Sequence, residues 1–289
     1  MRTVPVLLLL LFMCCSCAVA EAPTENAEGT LTRSPDTRDL RPRAGIDAEQ
    51  SESPPAWTFP LSEEIIMDEA DYLVLANVDS KLASDYAPKD LINIKVRKSV
   101  SETMKMRKAA SDALDMMFKD ALDEDNVKLY AHSCYRSYDT QKIMYANRLA
   151  RVGYDDKLVQ QAGASDHQTG LGIDVIGASW LGKERLNDGI ADTKEGKWVL
   201  EHCAEYGFII RYPKDMEHIT GIKYEPWHLR YVGVEAAAYI TDNGLTLEEF
   251  SIIRENLLNG TYVENESETT VIQIDPSVVL DDDGFEDLG

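Results

Sequence analysis

Basic charge is scarce in this chain. Its 289 residues hold 29 Lys and Arg against 51 Asp and Glu, a formal net charge of -22. Phosphate binding needs basic surface, so this balance argues against a nucleic-acid partner. It argues equally against electrostatic docking on anionic lipid. Solubility is the plainest use of such acidity. The apolar run Val4 to Met13 is too short to span a bilayer, which takes roughly 20 residues. It has the length of a signal-peptide core, with Arg2 before it and an A-x-A cleavage site, Ala18-Val19-Ala20, behind it. Cysteine is sparse: there are five, and Cys14, Cys15 and Cys17 lie inside that leader. Removal of the leader leaves only Cys134 and Cys203. An exported pair could form a disulfide, or both could be buried thiols acting as small hydrophobes. Internal repeats are absent.

What remains is organised simply. The expected layout is a signal peptide over 1–20, an acidic Pro- and Ser-rich tether over 21–58, a folded domain over 59–263 and an acidic tail over 264–289. A short run, Val271 to Ile274, could add an edge strand. Within the domain, Leu73 to Asn77 reads as a strand. Ser101 to Asp120 reads as a helix with Ser101 as N-cap. Val127 to Ala131 alternates as a strand. Thr140 to Val152 is a helix stopped by Gly153. Leu171 to Ile176 is a strand, and Lys194 to Tyr206 a helix ended by Gly207. Strands over Phe208 to Arg211 and Trp227 to Val232 follow, then helices over Val234 to Asp242 and Thr246 to Leu258. This mixed order predicts an α+β domain with a central antiparallel or mixed sheet and flanking helices.

Two short stretches carry the chemistry. Ser165 to Asp174 contains His167 and Asp174; Glu225 to His228 contains two more candidate groups. Two imidazoles and one carboxylate suit Zn²⁺ better than Mg²⁺ or Ca²⁺. Three protein ligands leave one tetrahedral position open, the mark of a catalytic rather than a structural site. The remaining carboxylate can serve as a base. A spacing of seven, as between His167 and Asp174, is wrong for two metal ligands on one helix, where they sit three or four residues apart. Gly170 and Gly172 favour a loop running into a strand, with Gly172, Asp174 and Ile176 on one face. Glycine at 172 is expected to leave room beside Asp174 for a metal or substrate. An Asp flanked by Ile173, Val175 and Ile176 is costly to bury without a partner. Trp227, Leu229 and Tyr231 alternate with His228 and Arg230, so His228 shares a strand face away from the large apolar groups. Glu225 and His228 can reach one metal only through a bend at Pro226. Upstream, Arg136 follows a strand and opens a helix. It could grip a carboxylate bidentately or make an ordinary surface salt bridge. His132, His202 and His218 read as packing or surface residues.

These motifs resemble the VanY-type D,D-carboxypeptidases, zinc peptidases of bacterial cell-wall metabolism whose relatives include L,D-carboxypeptidases. The similarity runs through Tyr135-Arg136-Ser137 to Gln141, Ser165 to Asp174, Trp198, Tyr206 to Pro213, Thr220-Gly221, Glu225 to Gly233 and Leu245 to Glu249. The resemblance implies that His167, Asp174 and His228 hold Zn²⁺ and that Glu225 is the catalytic base. It implies that Arg136, with Gln141 and Ser165, orients a substrate's terminal carboxylate. Three positions depart from the family pattern: Asp166 for the usual Glu, Gly172 for Ala, and Cys134 for Gly. None removes a ligand or the base. The implied activity is release of the C-terminal D-Ala from peptidoglycan stem peptides. An L,D-carboxypeptidase, a related endopeptidase or a zinc-stabilised wall-binding module without turnover are the alternatives. A monomer is expected, secreted or surface-attached, with a lipid anchor at Cys17 as a second possibility and no transmembrane span in the mature chain.

Overall fold

The two central strands of the sheet that carries the site have a period of two, with one apolar face and one that bears Asp174, His228 and Arg230. The computed structural model describes residues 57–183 and 185–262. The leader, Cys17, the tail and the run Val271 to Ile274 lie outside them, as does most of the tether. In chain order the elements are α1 (Glu63–Met67), β1 (Leu91–Asn93), β2 (Lys105–Arg107), α2 (Lys108–Asp123), β3 (Leu129–Ser133), α3 (Tyr138–Val152), β4 (Gly172–Gly177), α4 (Lys194–His202), β5 (Phe208–Ile210), α5 (Glu217–Thr220), β6 (His228–Tyr231), α6 (Val234–Asp242) and α7 (Leu247–Leu258). Four strands form an antiparallel sheet in the order β3-β4-β6-β5; β1 and β2 pair separately, also antiparallel. Helices flank the sheet, so the α+β expectation holds.

One face of the sheet is the main core. Leu129, Ala131, Ile173, Val175, Phe208 and Leu229 pack there with Leu114, Met117 and Phe118 of α2 and Trp198 and Val199 of α4. The opposite face carries Asp174 and His228, placed directly across from each other by the β4–β6 register. Two smaller apolar clusters flank it. One joins Ile209 to α1, α6 and α7. The other gathers Ile176, Trp180, Ile190 and Trp227.

Helix ends follow local chemistry. Ser137 caps α3, its hydroxyl accepting from the Thr140 amide at 3.3 Å, and Gly153 closes it in the left-handed conformation. Thr246 and Glu249 form a capping box at α7. Helix α4 tightens into a 3-10 turn over Cys203–Tyr206 before Gly207.

Two expected elements are corrected. The segment Leu73 to Asn77 forms no strand. Leu73 and Leu75 pack in the cluster around α7 and Val74 packs against the main core, while the Val74 carbonyl accepts from Arg230 instead of a strand partner. The helix expected from Ser101 begins only at Lys108. Met104 and Met106 are both buried with exposed Lys105 between them, which is strand periodicity, and Lys105–Arg107 pairs with β1.

Gly196 shows how tightly α4 is seated. A Cβ there would lie 1.9 Å from the Ile190 carbonyl oxygen. Gly196→Ala is expected to cost about 1–3 kcal/mol, the usual range for overpacking a rigid contact. Urea unfolding checks it; an unchanged midpoint would show that the 188–192 turn yields freely.

Candidate metal centre

His167 sits on a 3-10 turn, Asp166–Thr169, which feeds β4 and brings Asp174 up on the charged face. His228 opens β6 opposite Asp174. All three side chains are nearly inaccessible. Asp174 Oδ1 lies 3.0 Å from His228 Nδ1 and 3.5 Å from His167 Nε2. The partner that a buried Asp174 needs is therefore this pair of imidazoles. His167 Nδ1 donates to the Cys134 carbonyl at 2.7 Å, since a carbonyl can only accept. That bond leaves Nε2 as the lone-pair nitrogen facing Asp174. A tetrahedron with bonds of about 2.0–2.1 Å has edges of about 3.3–3.4 Å. The donor separations bracket that value, so the residues fit a small tetrahedral cation. The three donor groups fall within 4.8 Å of one another.

Glu225 is reached by the required bend. The His228 amide donates to the Glu225 carbonyl at 3.1 Å, closing a turn with Pro226 at its second position. The Glu225 amide donates to the Tyr212 carbonyl at 3.1 Å. Trp227, projecting from this turn, is held in the cluster with Trp180 and Ile190. Arg136 follows β3, and its amide donates to the His167 carbonyl at 3.1 Å. Its side chain makes no ion pair among the described residues. Nη1 donates to the Met144 sulfur at 3.0 Å, and Nε is buried without a partner. The surface salt-bridge alternative is thus not what the structure shows.

Burial governs the electrostatics. It holds the His167 imidazole down to about 4, with the Arg136 charge adding to the effect, so the ring is neutral and able to ligate near pH 7. Burial also opposes ionisation of Asp174, but His167 and His228 outweigh it and keep that carboxyl well below its usual range. Glu225 moves the other way. Burial pushes it well above the usual carboxylate range, Asp174 adds to this, and Arg136 opposes it.

The structure gathers His167, Asp174 and His228 with Glu225 and Arg136 close enough to act on one another. Gln141 and Ser165 are both buried, one on α3 and one just before the 3-10 turn that bears His167. The Gln141 amide nitrogen donates to the Gln160 carbonyl at 2.6 Å, and its oxygen is buried without a partner. The Ser165 hydroxyl makes no capping bond. The space beside Gly172 is not open to a ligand as expected. It is occupied by Asp166, whose backbone carbon would lie 2.9 Å from a Cβ at 172. Cys134 and Cys203 are both buried free thiols. Burial raises both, Cys203 to about 12, which leaves them inert. His132 meets the Ser99 hydroxyl, and His202 meets Glu205 and Trp198, so neither joins the site.

Tyr212 was missed as a site residue. Its ring lies 5.1 Å from that of His228, tilted by 37°. Asp166, Arg211 and Arg230 entered only as members of family motifs, yet they meet in one buried cluster beside His167. The alternation that placed His228 also places Arg230 on the same face, and a charge inside a buried strand was the available signal.

The family model VanY, D-alanyl-D-alanine carboxypeptidase, matches residues 103–234. The YodJ protein of Bacillus subtilis (strain 168) is 45% identical over 192 residues, which is 65% of this chain and 69% of YodJ. The solved structure of the LD-carboxypeptidase LdcB is 44% identical with a TM-score of 0.57, covering 62% of this chain and 84% of that one. The vancomycin-resistance D,D-pentapeptidase VanY, solved as a mutant with Zn(II), is 30% identical with a TM-score of 0.50, covering 62% and 98%.

Proposed function

The chain belongs to the VanY family of D-alanyl-D-alanine carboxypeptidases, metal-dependent peptide hydrolases, and from that premise we propose that it removes one C-terminal D-alanine from peptidoglycan stem peptides. The observation that carries this reading is the convergence of His167 Nε2, Asp174 Oδ1 and His228 Nδ1 beside a buried carboxylate and an unpaired arginine. In this reading those three residues hold Zn²⁺, which would supply Lewis acidity toward a carbonyl and acidify water. Arg136 binds the substrate's terminal carboxylate through its guanidinium fork, with Gln141 and Ser165 in support. A chain end fixed in this way makes the enzyme an exopeptidase. The Glu225 carboxylate takes a proton from the attacking water and returns it to the leaving amine nitrogen. The low exposure of the site strengthens each of these charge interactions.

A tetrapeptide-trimming L,D-carboxypeptidase is the second reading. It is favoured by the higher identity to LdcB, 44%, than to the D,D-pentapeptidase, 30%. A wall-binding module without turnover is disfavoured by Glu225. A structural site has no use for a carboxylate whose burial costs so much. The deciding measurement is D-Ala release from a pentapeptide and a tetrapeptide. Chelation is expected to abolish release and added Zn²⁺ to restore it. No release from either peptide by zinc-loaded protein would sink both enzymatic readings. No helix among the described residues is long and apolar enough to cross a membrane. The apolar leader and its cleavage site support export, with the enzyme acting outside the cytoplasm as a domain spanning 59–263 and as a monomer. Cys17 is the alternative point of attachment.

A further inference from the structure

Asp166 has no part in the chemistry above, yet it is fully buried, as are Arg211 and Arg230. Arg211 Nε donates to Asp166 Oδ2 at 2.6 Å, and Arg230 Nη1 donates to Asp166 Oδ1. Arg211 turns its other two nitrogens on Glu248 of α7, at 2.8 and 2.6 Å. Arg230 directs Nη2 to the carbonyls of Tyr72 and Val74, at 3.0 and 2.5 Å. Two cations thus meet two anions, and each guanidinium is hydrogen-bonded, which is the condition under which buried charge persists. Apolar side chains of the same volume would often stabilise the fold as well or better. The quartet is therefore better explained by where it sits than by stability.

Its position is specific. Asp166 directly precedes His167. Arg230 lies two residues beyond His228 on the same strand face, opposite Gly172. The Arg211 amide donates to the His228 carbonyl at 3.1 Å. Asp166 is pressed so close to Gly172 that a side chain there would collide with it. The ion pairs therefore bridge the turn bearing His167 and the strand bearing His228. They then anchor both to α7, which lies beyond the region matched by the family model.

We propose that Asp166, Arg211, Arg230 and Glu248 are positioning residues that set the spacing between His167 and His228, and through it the metal affinity of the site. This rests on the reading of His167, Asp174 and His228 as metal ligands. Metal affinity depends on donors already held at the right separation, and losing outer partners of ligands commonly costs about 10–100-fold. Glu248 is the cleanest probe. Its hydrogen-bond partners are Arg211 and Asn77, and it bonds none of the three candidate ligands.

The test compares Glu248→Gln with Arg254→Ala in the full chain. Arg254 also ties α7 down, through the Ile66 carbonyl at 2.6 Å and the Met67 carbonyl at 3.0 Å, but touches no member of the quartet. Zn²⁺ affinity is read by competition with a chromophoric chelator, and ligand geometry by the absorption of the Co²⁺-loaded protein. Glu248→Gln is expected to weaken Zn²⁺ binding at least about tenfold and to change the Co²⁺ spectrum. Arg254→Ala is expected to lower Tm with both metal readouts unchanged. Arg211→Lys, which keeps the charge but loses the fork, supplies a second arm and is expected to follow Glu248→Gln. Wild-type affinity and spectrum in the two quartet variants would overturn the proposal. So would affinity losses that simply track Tm in all three variants. Failure of the wild-type chain to bind Zn²⁺ would overturn the metal reading itself, and this inference with it.

Discussion

Glu225→Gln is expected to lower kcat by about 10²–10⁴-fold, the usual contribution of a general base, while Zn²⁺ stays bound. Glutamine preserves the shape of the side chain and its place in the turn before His228, but cannot accept a proton. None of the three converging donors is altered. The same change is expected to stabilise the metal-free fold. Burial and the neighbouring Asp174 raise the Glu225 carboxyl well above its unfolded value. A raised carboxyl binds its proton more tightly in the folded chain than in the unfolded one. Stability therefore falls as pH rises from the ordinary carboxylate range through the folded pKa, and the penalty is complete above it. Gln removes that penalty, so the metal-free variant should show a higher Tm at neutral pH and a flatter dependence of Tm on pH. In the wild type, kcat/KM should fall on the acid side as Glu225 takes up its proton, and this limb should vanish from the residual rate of the variant. Steady-state kinetics across pH, metal content and thermal melts check the three parts. Retained turnover would remove Glu225 from the base role whatever the melts show.

Much of this site can be read from the chain because strand alternation is a local property. Ile173 and Val175 against Asp174, and Leu229 and Tyr231 against His228 and Arg230, assign faces without any knowledge of neighbours. The bend at Pro226 follows from the need to bring Glu225 and His228 to one place, and the turn is there. Helix α6 and the capping box of α7 are equally local. What could not be read depends on contacts distant in sequence. Nothing near Asp174 announces that His228 will be its cross-strand partner. Leu73 to Asn77 has a strand's apolar residues, but Arg230, more than 150 residues later, takes the Tyr72 and Val74 carbonyls. Gly172 looked like space for a ligand because sequence does not reveal that the chain folds Asp166 back onto it. Met104 and Met106 fit a helix stripe only when the spacing of two between them is overlooked.

Arg136→Ala is expected to be nearly as damaging as the loss of Glu225, but through a different term. The guanidinium is half-buried, has an unpartnered Nε and makes no ion pair among the described residues. Its cost is therefore not recovered inside the protein, as a binding group held ready for an anion requires. Truncating one partner of a buried charge pair costs about 2–5 kcal/mol, so kcat/KM should fall by roughly 30- to 5,000-fold, mainly through KM. A second effect follows from position. Arg136 lowers the Glu225 carboxyl, and its removal lets burial and Asp174 act unopposed. The acid limb of the pH profile should therefore move to higher pH in Arg136→Ala. A substrate with its C-terminal carboxylate converted to an amide separates the two effects. Wild type should lose most of its activity on the amide, because the anion is gone. Arg136→Ala should treat acid and amide nearly alike, while its shifted acid limb persists with both. Equal discrimination between acid and amide by the two enzymes would show that Arg136 does not hold the chain end. The endopeptidase reading, which needs no terminal anion, would then be the better one.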